Sequence, residues 1–138
     1  MARFDTSGLD PAVRYLEKME MTTGALADSM LLAGAKAVQE AWREAAERHG
    51  HRLTGQLIES IGYPRRPRTV GDVRSIDIYP QGTDDKGVRN AEKAFVLHYG
   101  SRSRPGSRWI DTADAISGEK AVPAMLKIFD DYMRSLDA

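Results

Sequence analysis

The stretch TGQLIESIGYPRRPRTVGDVRSIDIYP, residues 54–80, contains the change from helical to strand periodicity that decides the fold. Thr54 has a hydroxyl that can accept an N–H of the following turn, which predicts a helix N-cap. The short helix that follows is expected to end at Gly62. Its apolar residues recur at helical spacing: Leu57, Ile58 and Ile61.

The second half of the stretch reads as a hairpin. Pro64 and Pro67 end any helix, because proline lacks the N–H that the helical hydrogen bonds need. Residues 72–80 then alternate, with Ile76 and Ile78 on one face and polar residues between them, which predicts a half-buried strand. An earlier strand within residues 61–70 is expected to pair with it.

A long helix is predicted upstream, over residues 23–48. Its apolar face is rich in alanine, so a partner backbone can approach closely. The residues of this face are Leu26, Met30, Ala33, Ala37, Ala41 and Ala45. Asp10-Pro11 looks like the start of a short helix within an N-terminal arm, residues 1–22.

Two more elements are predicted downstream. Asn90 as N-cap and Gly100 just past the end favour a helix over 90–99, although Phe95-Val96-Leu97 would equally suit a buried strand. Trp109 opens the last element, a wide apolar stripe runs from Ala121 to Leu136, and Pro123 is expected in the first turn of that helix. These patterns predict an α+β fold in one domain, residues 1–138, with its core over 23–138: a long helix, a short helix, a small antiparallel sheet and an amphipathic C-terminal helix.

Composition narrows the classes of function. The 20 basic and 20 acidic residues cancel, which argues against a nucleic-acid binder whose whole surface is cationic. The absence of cysteine excludes a disulfide framework, a thiolate zinc site and a cysteine nucleophile. No apolar run approaches the roughly 20 residues that span a bilayer, and no basic-then-apolar signal pattern opens the chain, so we expect a soluble, unexported protein with no membrane partner.

The sequence provides no positive argument for an enzyme. His49 and His51 flank a glycine without a metal-binding spacing, and His98 is expected to pack against its neighbours. The serines lack a nucleophile-elbow context, and no phosphate-binding glycine motif occurs. We therefore expect no catalytic residue, no metal and no cofactor.

Arginine is concentrated in two loops. One carries Arg65, Arg66 and Arg68, and the other carries Arg102, Arg104 and Arg108. The chain from Asp111 onward has six acids against three bases. If the loops converge, each copy would have a basic and an acidic side, and such copies can stack head-to-tail into a ring. The arginines would equally serve as solubilising charges, and guanidinium groups also suit phosphate oxygens.

The order of three short motifs resembles the tail-completion and head–tail joining proteins, the neck or minor tail components, of long-tailed phages and prophages. That family often carries Thr-Gly-x-Leu-x-x-Ser-Ile, then Ala-x-x-x-Glu-x-Gly, then Pro-x-aromatic at the start of the last helix. The residues that match are Thr54, Gly55, Leu57, Ser60 and Ile61, then Ala94, Tyr99 and Gly100, then Trp109. The chain departs from the family at His98, where the family has glutamate, and at His51-Arg52, near which the family commonly has proline.

The resemblance implies a structural protein of the virion neck, made in the host cytoplasm. It implies a ring of about six copies between the connector or adaptor and the tail-tube or tail-terminator proteins, with DNA passing non-specifically through the lumen. The motif residues would be architectural, with Gly100 releasing the arginine loop from the body of the protein. The arginines of both loops would lie at subunit contacts or near the lumen. The alternative is a small nucleic-acid-binding module that uses the same arginines.

Overall fold

The computed structural model describes residues 2–5, 23–51 and 55–136. In chain order these form a strand β1, a helix α1, a short helix α2, three strands β2, β3 and β4, and two helices α3 and α4. Their bounds are β1 Ala2–Asp5, α1 Thr23–Arg48, α2 Gln56–Ser60, β2 Ile61–Gly62, β3 Arg68–Val70, β4 Val73–Pro80, α3 Asn90–Tyr99 and α4 Trp109–Leu136. The α+β fold is therefore confirmed.

The long helix α1 has the predicted bounds, but it buries a wider face than the predicted stripe. Ala33 and Ala37 are only partly buried, whereas Ala35 and Val38 are fully buried. The face is wide because α1 contacts α4 as well as the sheet and α2. Its small side chains let neighbouring backbones approach closely, as the alanine content predicts.

Helices α1 and α4 form an antiparallel pair that makes up most of the core. His49, just past the end of α1, contacts Thr112 in the first turn of α4, and Glu44 lies 3.6 Å from Lys120. Trp42 of α1 and Trp109 of α4 pack edge-to-face, with ring centroids 5.4 Å apart. Both indoles are almost completely buried, so this pair fixes the register of the two helices.

The sheet is organised around β4, which pairs antiparallel with the other three strands. Ile76 and Ile78 are buried and Asp77 and Tyr79 are partly exposed, so the predicted alternation is confirmed. The predicted hairpin is also present, but the earlier strand is split into β2 and β3. Strand β1, which the sequence did not predict, pairs with residues 75–78 of β4.

Two predicted boundaries are wrong. Helix α2 ends at Ser60, because Ile61 and Gly62 already pair with β4 as β2. Helix α4 begins at Trp109, so Pro123 lies inside the helix and not in its first turn. Because Pro123 is exposed, the hydrogen bond that its missing N–H would have made is lost on the solvent side of the helix, where the helix tolerates the loss best. The expected short helix at Asp10-Pro11 lies outside the described residues.

The connection from β4 to α3 is ordered around Asp84. Its carboxylate accepts the N–H groups of Lys86 and Val88, both at 2.9 Å, and forms an ion pair with Lys93 of α3. The hydrogen bond from Lys93 and those two N–H groups lower the pKa of the Asp84 carboxyl. The connection is therefore a tight turn that aligns the start of α3.

No helix in the part of the chain that the structure describes is long and apolar enough to cross a membrane.

Candidate interaction surface

Helix α3 has one face that anchors it to the body of the protein. Asn90, Ala94 and His98, spaced four residues apart, are buried. The Asn90 side chain donates to the carbonyl oxygen of Gln81 at 2.9 Å, and His98 Nδ1 accepts the N–H of Ile110 at 3.2 Å. Both ends of α3 are thus held, and the prediction that His98 packs against neighbours is confirmed.

The opposite face of α3 is apolar and exposed. Phe95, Val96 and Tyr99 have 61%, 50% and 59% of their surface exposed, and Val88, just before the helix, has 41%. The rings of Phe95 and Tyr99 contact each other with centroids 4.5 Å apart. We call these four residues the α3 apolar face. Large apolar side chains clustered on one exposed helix face are typical of an interaction site.

A cavity of about 480 Å³ adjoins this face, between α3, α2 and the end of α1. Its apolar lining includes Leu57, Val88, Val96 and Leu97, and its polar lining includes His51 and Arg104. The cavity continues the α3 apolar face towards the second arginine-bearing loop, residues 101–108, which we call the basic loop.

The basic loop returns to the end of α3 and packs against it. This overturns the expectation that Gly100 releases the loop from the body. The returning chain supplies donors to the carbonyl groups that a helix leaves unpaired at its C-terminus. Gly100 N–H donates to Val96 O at 2.7 Å, Ser107 N–H to Leu97 O at 2.9 Å and Arg108 N–H to His98 O at 3.1 Å.

Two glycines make this close return sterically feasible. Gly100 has φ +93°, a conformation that side chains rarely adopt, and a Cβ there would lie 2.9 Å from the carbonyl oxygen of Arg104. A Cβ on Gly106 would lie closer than 3.0 Å to the carbonyl oxygen of His98. The loop conformation therefore depends on glycine at both positions.

The three arginines of the basic loop have different surroundings. Arg108 is held in place: its Nε donates to Asp111 at 3.0 Å, and its guanidinium lies 5.6 Å from the ring centroid of Tyr99. Arg102 and Arg104 are exposed, and the described residues include no carboxylate that forms an ion pair with either of them. The loop thus presents two cationic side chains next to the α3 apolar face.

The two arginine loops do not converge into one rim. Arg68, paired in register with Ser75, lies beside Arg74, which bonds Asp28 in the second turn of α1. The basic loop instead contacts His51, beyond the other end of α1. At 1.5 Å per residue, these two points are separated by roughly 35 Å along the helix. Arg65 and Arg66 lie exposed on the connection between β2 and β3.

His51, just after α1, holds the basic loop to the body. His51 Nε2 lies 2.7 Å from Ser107 Oγ, and the His51 ring packs edge-to-face on Trp109. The Ser107 hydroxyl itself donates to Leu97 O at 3.0 Å, so His51 must donate to Ser107. A serine whose proton is already donated to a carbonyl oxygen is not activated by this histidine, and the pair does not form a nucleophile–base arrangement.

Stability should depend on pH through His51. Burial, followed by the charges of His49 and Arg104, lowers the pKa of its imidazole below 6.5. The unfolded chain therefore binds the extra proton first as pH falls, so the free energy of unfolding should decrease between about pH 7 and pH 5. Because His51 is half-exposed, we expect a loss below about 1 kcal/mol.

Urea unfolding across this pH range measures the effect. His51→Gln keeps a donor for Ser107 but does not titrate, so its profile should be flatter than that of the parent protein. Parallel profiles for the two proteins would assign the pH dependence to other groups.

The motif residues have architectural positions where the structure describes them. Gly55 precedes α2 with φ +74°, and Leu57 and Ile61 are buried. The Ser60 hydroxyl donates to Leu57 O at 2.6 Å and closes the last turn of α2. The Trp109 indole donates to Ala94 O at 3.1 Å, which joins α4 to α3. Thr54 itself lies outside the described residues, but the N-cap of α2 is Gly55, so the prediction of Thr54 as N-cap is wrong by one residue.

Comparisons with known proteins add no relative: no family model matches the chain, and neither a curated protein nor a solved structure matches it. Among the described residues, no group of three or more histidine, aspartate or glutamate side chains could hold a metal ion.

Sequence reasoning missed the main feature of this surface, the exposure of Phe95, Val96 and Val88. It treated Phe95-Val96-Leu97 as either helical or buried in a strand. The signal was nevertheless present: in a helix, Phe95, Val96 and Tyr99 fall on the side opposite Asn90, Ala94 and His98.

Proposed function

We propose that the protein is a structural component of the neck of a long-tailed phage, where copies of it form a ring between the connector and the tail tube. The observation that carries this proposal is the α3 apolar face beside the basic loop. That surface lies on a helix anchored at both ends, and its side chains stay exposed in the described chain even though Arg108 contacts the Tyr99 ring. It suits docking to another protein rather than chemistry on a small molecule.

A second surface of the chain complements the first. Val122 and Leu126 are exposed on α4, at 50% and 44%, and they continue into the half-buried Phe129 and Met133. Residues 88–108 contain five basic residues and one acidic residue, whereas residues 111–136 contain five acidic and three basic residues. Two different surfaces of opposite charge favour a head-to-tail contact, which closes into a ring when the rotation permits.

This arrangement gives each arginine loop its own role. Arg102, Arg104 and Arg108 would lie at the contact between copies, near the acidic helix α4 of the neighbour. Arg65, Arg66 and Arg68, at the far end of the subunit, are then the candidates for the lumen, where they would meet passing DNA without reading its sequence. Six copies, the number that the resemblance implies, remains an expectation.

Nucleic-acid binding is the second candidate function, and one structural observation favours it. Phe95 and Tyr99 are exposed aromatics next to the exposed Arg102 and Arg104, although in the sequence no aromatic is interleaved with the arginines of either loop. Aromatic rings and arginines side by side can stack bases and contact phosphates. This candidate predicts tight binding to DNA or RNA whose affinity falls steeply with salt.

Mass measurement and electron microscopy test the ring, both for the protein alone and with connector and tail-tube proteins. We expect Phe95→Glu to weaken self-association at least about tenfold, because it places a charge in the centre of an apolar contact. Val70→Glu is the matched control, since Val70 is similarly exposed, at 64%, but lies on β3. A protein that stays monomeric with both partners present, or a ring that Phe95→Glu leaves intact, would contradict this assignment.

A further inference from the structure

The first strand of the sheet is connected to the rest of the protein by far more chain than its position requires. Strand β1 ends at Asp5, which is in register with Ser75 of β4. The neighbouring Arg74 bonds Asp28 at 2.7 Å, in the second turn of α1. The end of β1 and the start of α1 are therefore on the order of 15 Å apart, a gap that roughly five extended residues would close.

The chain uses residues 6–22 for this connection, more than three times the length needed. Seventeen residues reach up to about 60 Å when fully extended, and roughly 40 Å if about ten of them form the short helix that Asp10-Pro11 predicts. A chain of this size has a radius of gyration of about 14 Å, so this reach exceeds the width of one whole subunit. Strand β1 can therefore reach the sheet of an adjacent copy.

The site that β1 fills belongs to the core. Residues 75–78 of β4 include Ile76 and Ile78, which are 1% and 0% exposed, and Ser75 at 7%. An open edge beside these residues would leave the backbone donors and acceptors of the central strand unpaired. Every copy thus needs a β1 strand on β4, but the edge is satisfied equally well by its own strand or by that of another copy.

The α3 apolar face also falls short of a full interface. Its four side chains expose roughly 400 Å², about half of the 800 Å² that each partner of a stable complex commonly buries. A further contact between copies is needed for a durable ring. Four residues of backbone pairing would supply one without any new surface.

We propose that β1 is an exchanged strand, which in the assembled protein pairs with β4 of a neighbouring copy in the register observed here. This inference rests on the proposed ring, because the ring holds the neighbour close. Exchange keeps every contact of the strand. The free-energy difference between the exchanged and the unexchanged state therefore comes mainly from chain entropy: a loop is closed within one copy, or two copies are linked. Once α3 and α4 contacts hold two copies together, the second event is intramolecular, with an effective concentration in the millimolar range.

The lack of cysteine allows a clean disulfide test. Arg3 and Asp77 are register partners, and the chain has no native thiol to react instead. Arg3→Cys and Asp77→Cys are made on two separate chains with different affinity tags, assembled together and oxidised mildly. A disulfide between the two chains joins β1 of one copy to β4 of another. We expect this mixed dimer to form in high yield within the ring and to disappear on reduction.

Two controls are needed. One distinguishes strand exchange from the mere closeness of two copies, and the other distinguishes it from ring formation. In the first control, the second chain carries Gly118→Cys, at an open position on α4, in place of Asp77→Cys. No mixed dimer should form. The mass of each preparation is measured before oxidation. A third preparation carries Arg3→Cys and Asp77→Cys together on one chain. A ring that gives no mixed dimer, while this double variant forms a disulfide within its own chain, overturns strand exchange and leaves the proposed function standing. A monomer without mixed dimer, with connector and tail-tube proteins present, overturns both.

Discussion

Trp109→Ala should lower the free energy of unfolding by about 4 kcal/mol, the largest effect expected from a single core substitution in this chain. The Trp109 side chain is fully buried, packs against Trp42 and His51, and donates its indole N–H to Ala94. The truncation removes apolar contact area, leaves a cavity and removes the indole hydrogen bond to the Ala94 carbonyl. A loss of this size is close to the whole stability of many domains, so much of the variant should be insoluble.

Urea unfolding monitored by circular dichroism measures this loss. Trp109→Phe keeps an aromatic ring but not the N–H donor, so its smaller loss estimates the contribution of the hydrogen bond to Ala94. Tyr99→Ala is the control for an exposed aromatic, at 59% exposure, and should change stability by less than about 1 kcal/mol. If Trp109→Ala and Tyr99→Ala were equally stable, the Trp42–Trp109 contact would not be the centre of the core.

Gly106→Ala should destabilise the protein by about 3 kcal/mol, because the new methyl group would overlap the carbonyl oxygen of His98 and the backbone of Tyr99. Both obstacles are backbone atoms, which cannot move aside as a flexible side chain does. The basic loop must therefore shift away from α3 and lose the hydrogen bonds to Leu97 and His98.

Gly118→Ala is the matched control for this substitution. A Cβ at Gly118 meets nothing within 4 Å, and the residue is inside α4. Alanine favours the helix, so the control should gain roughly 0.5–1 kcal/mol. Thermal or urea unfolding measures the change in stability for both substitutions. A loss for Gly106→Ala together with a gain for Gly118→Ala supports the packed loop. A Gly106→Ala variant of unchanged stability would show that the loop lies free of α3.

The elements that sequence predicts well are those whose signals are local. Helix α1 follows from its alanine-rich periodicity and β4 from the alternation around Ile76 and Ile78. The bounds of helix α3 agree with the prediction made from Asn90 and Gly100, but the prediction that Asn90 is the N-cap is wrong: the N-cap is Arg89, and the Asn90 side chain bonds Gln81. The exposed side of Phe95 is fixed once that helix is assumed. In each case, propensity and pattern within one segment agree with the tertiary structure.

The features that sequence missed depend on distant contacts. Strand β1 is four residues long, too short for a periodicity, and only its pairing with β4 defines it. Proline rules place Pro123 at a helix start, but packing of α4 along α1 extends the helix fourteen residues upstream of it. Each arginine loop carries three arginines, and only the contacts of Arg74 and His51 show that the loops lie at opposite ends of α1.

The return of the chain onto the end of α3 has a consequence for affinity. A recognition loop that is disordered before binding loses backbone conformational entropy when a partner fixes it, and this loss weakens the complex. Here the segment that carries Arg102 and Arg104 has its backbone fixed during folding, by the donors at Ser107 and Arg108. Only the two guanidinium side chains remain to be ordered, so even a small, shallow contact can be both specific and quickly formed.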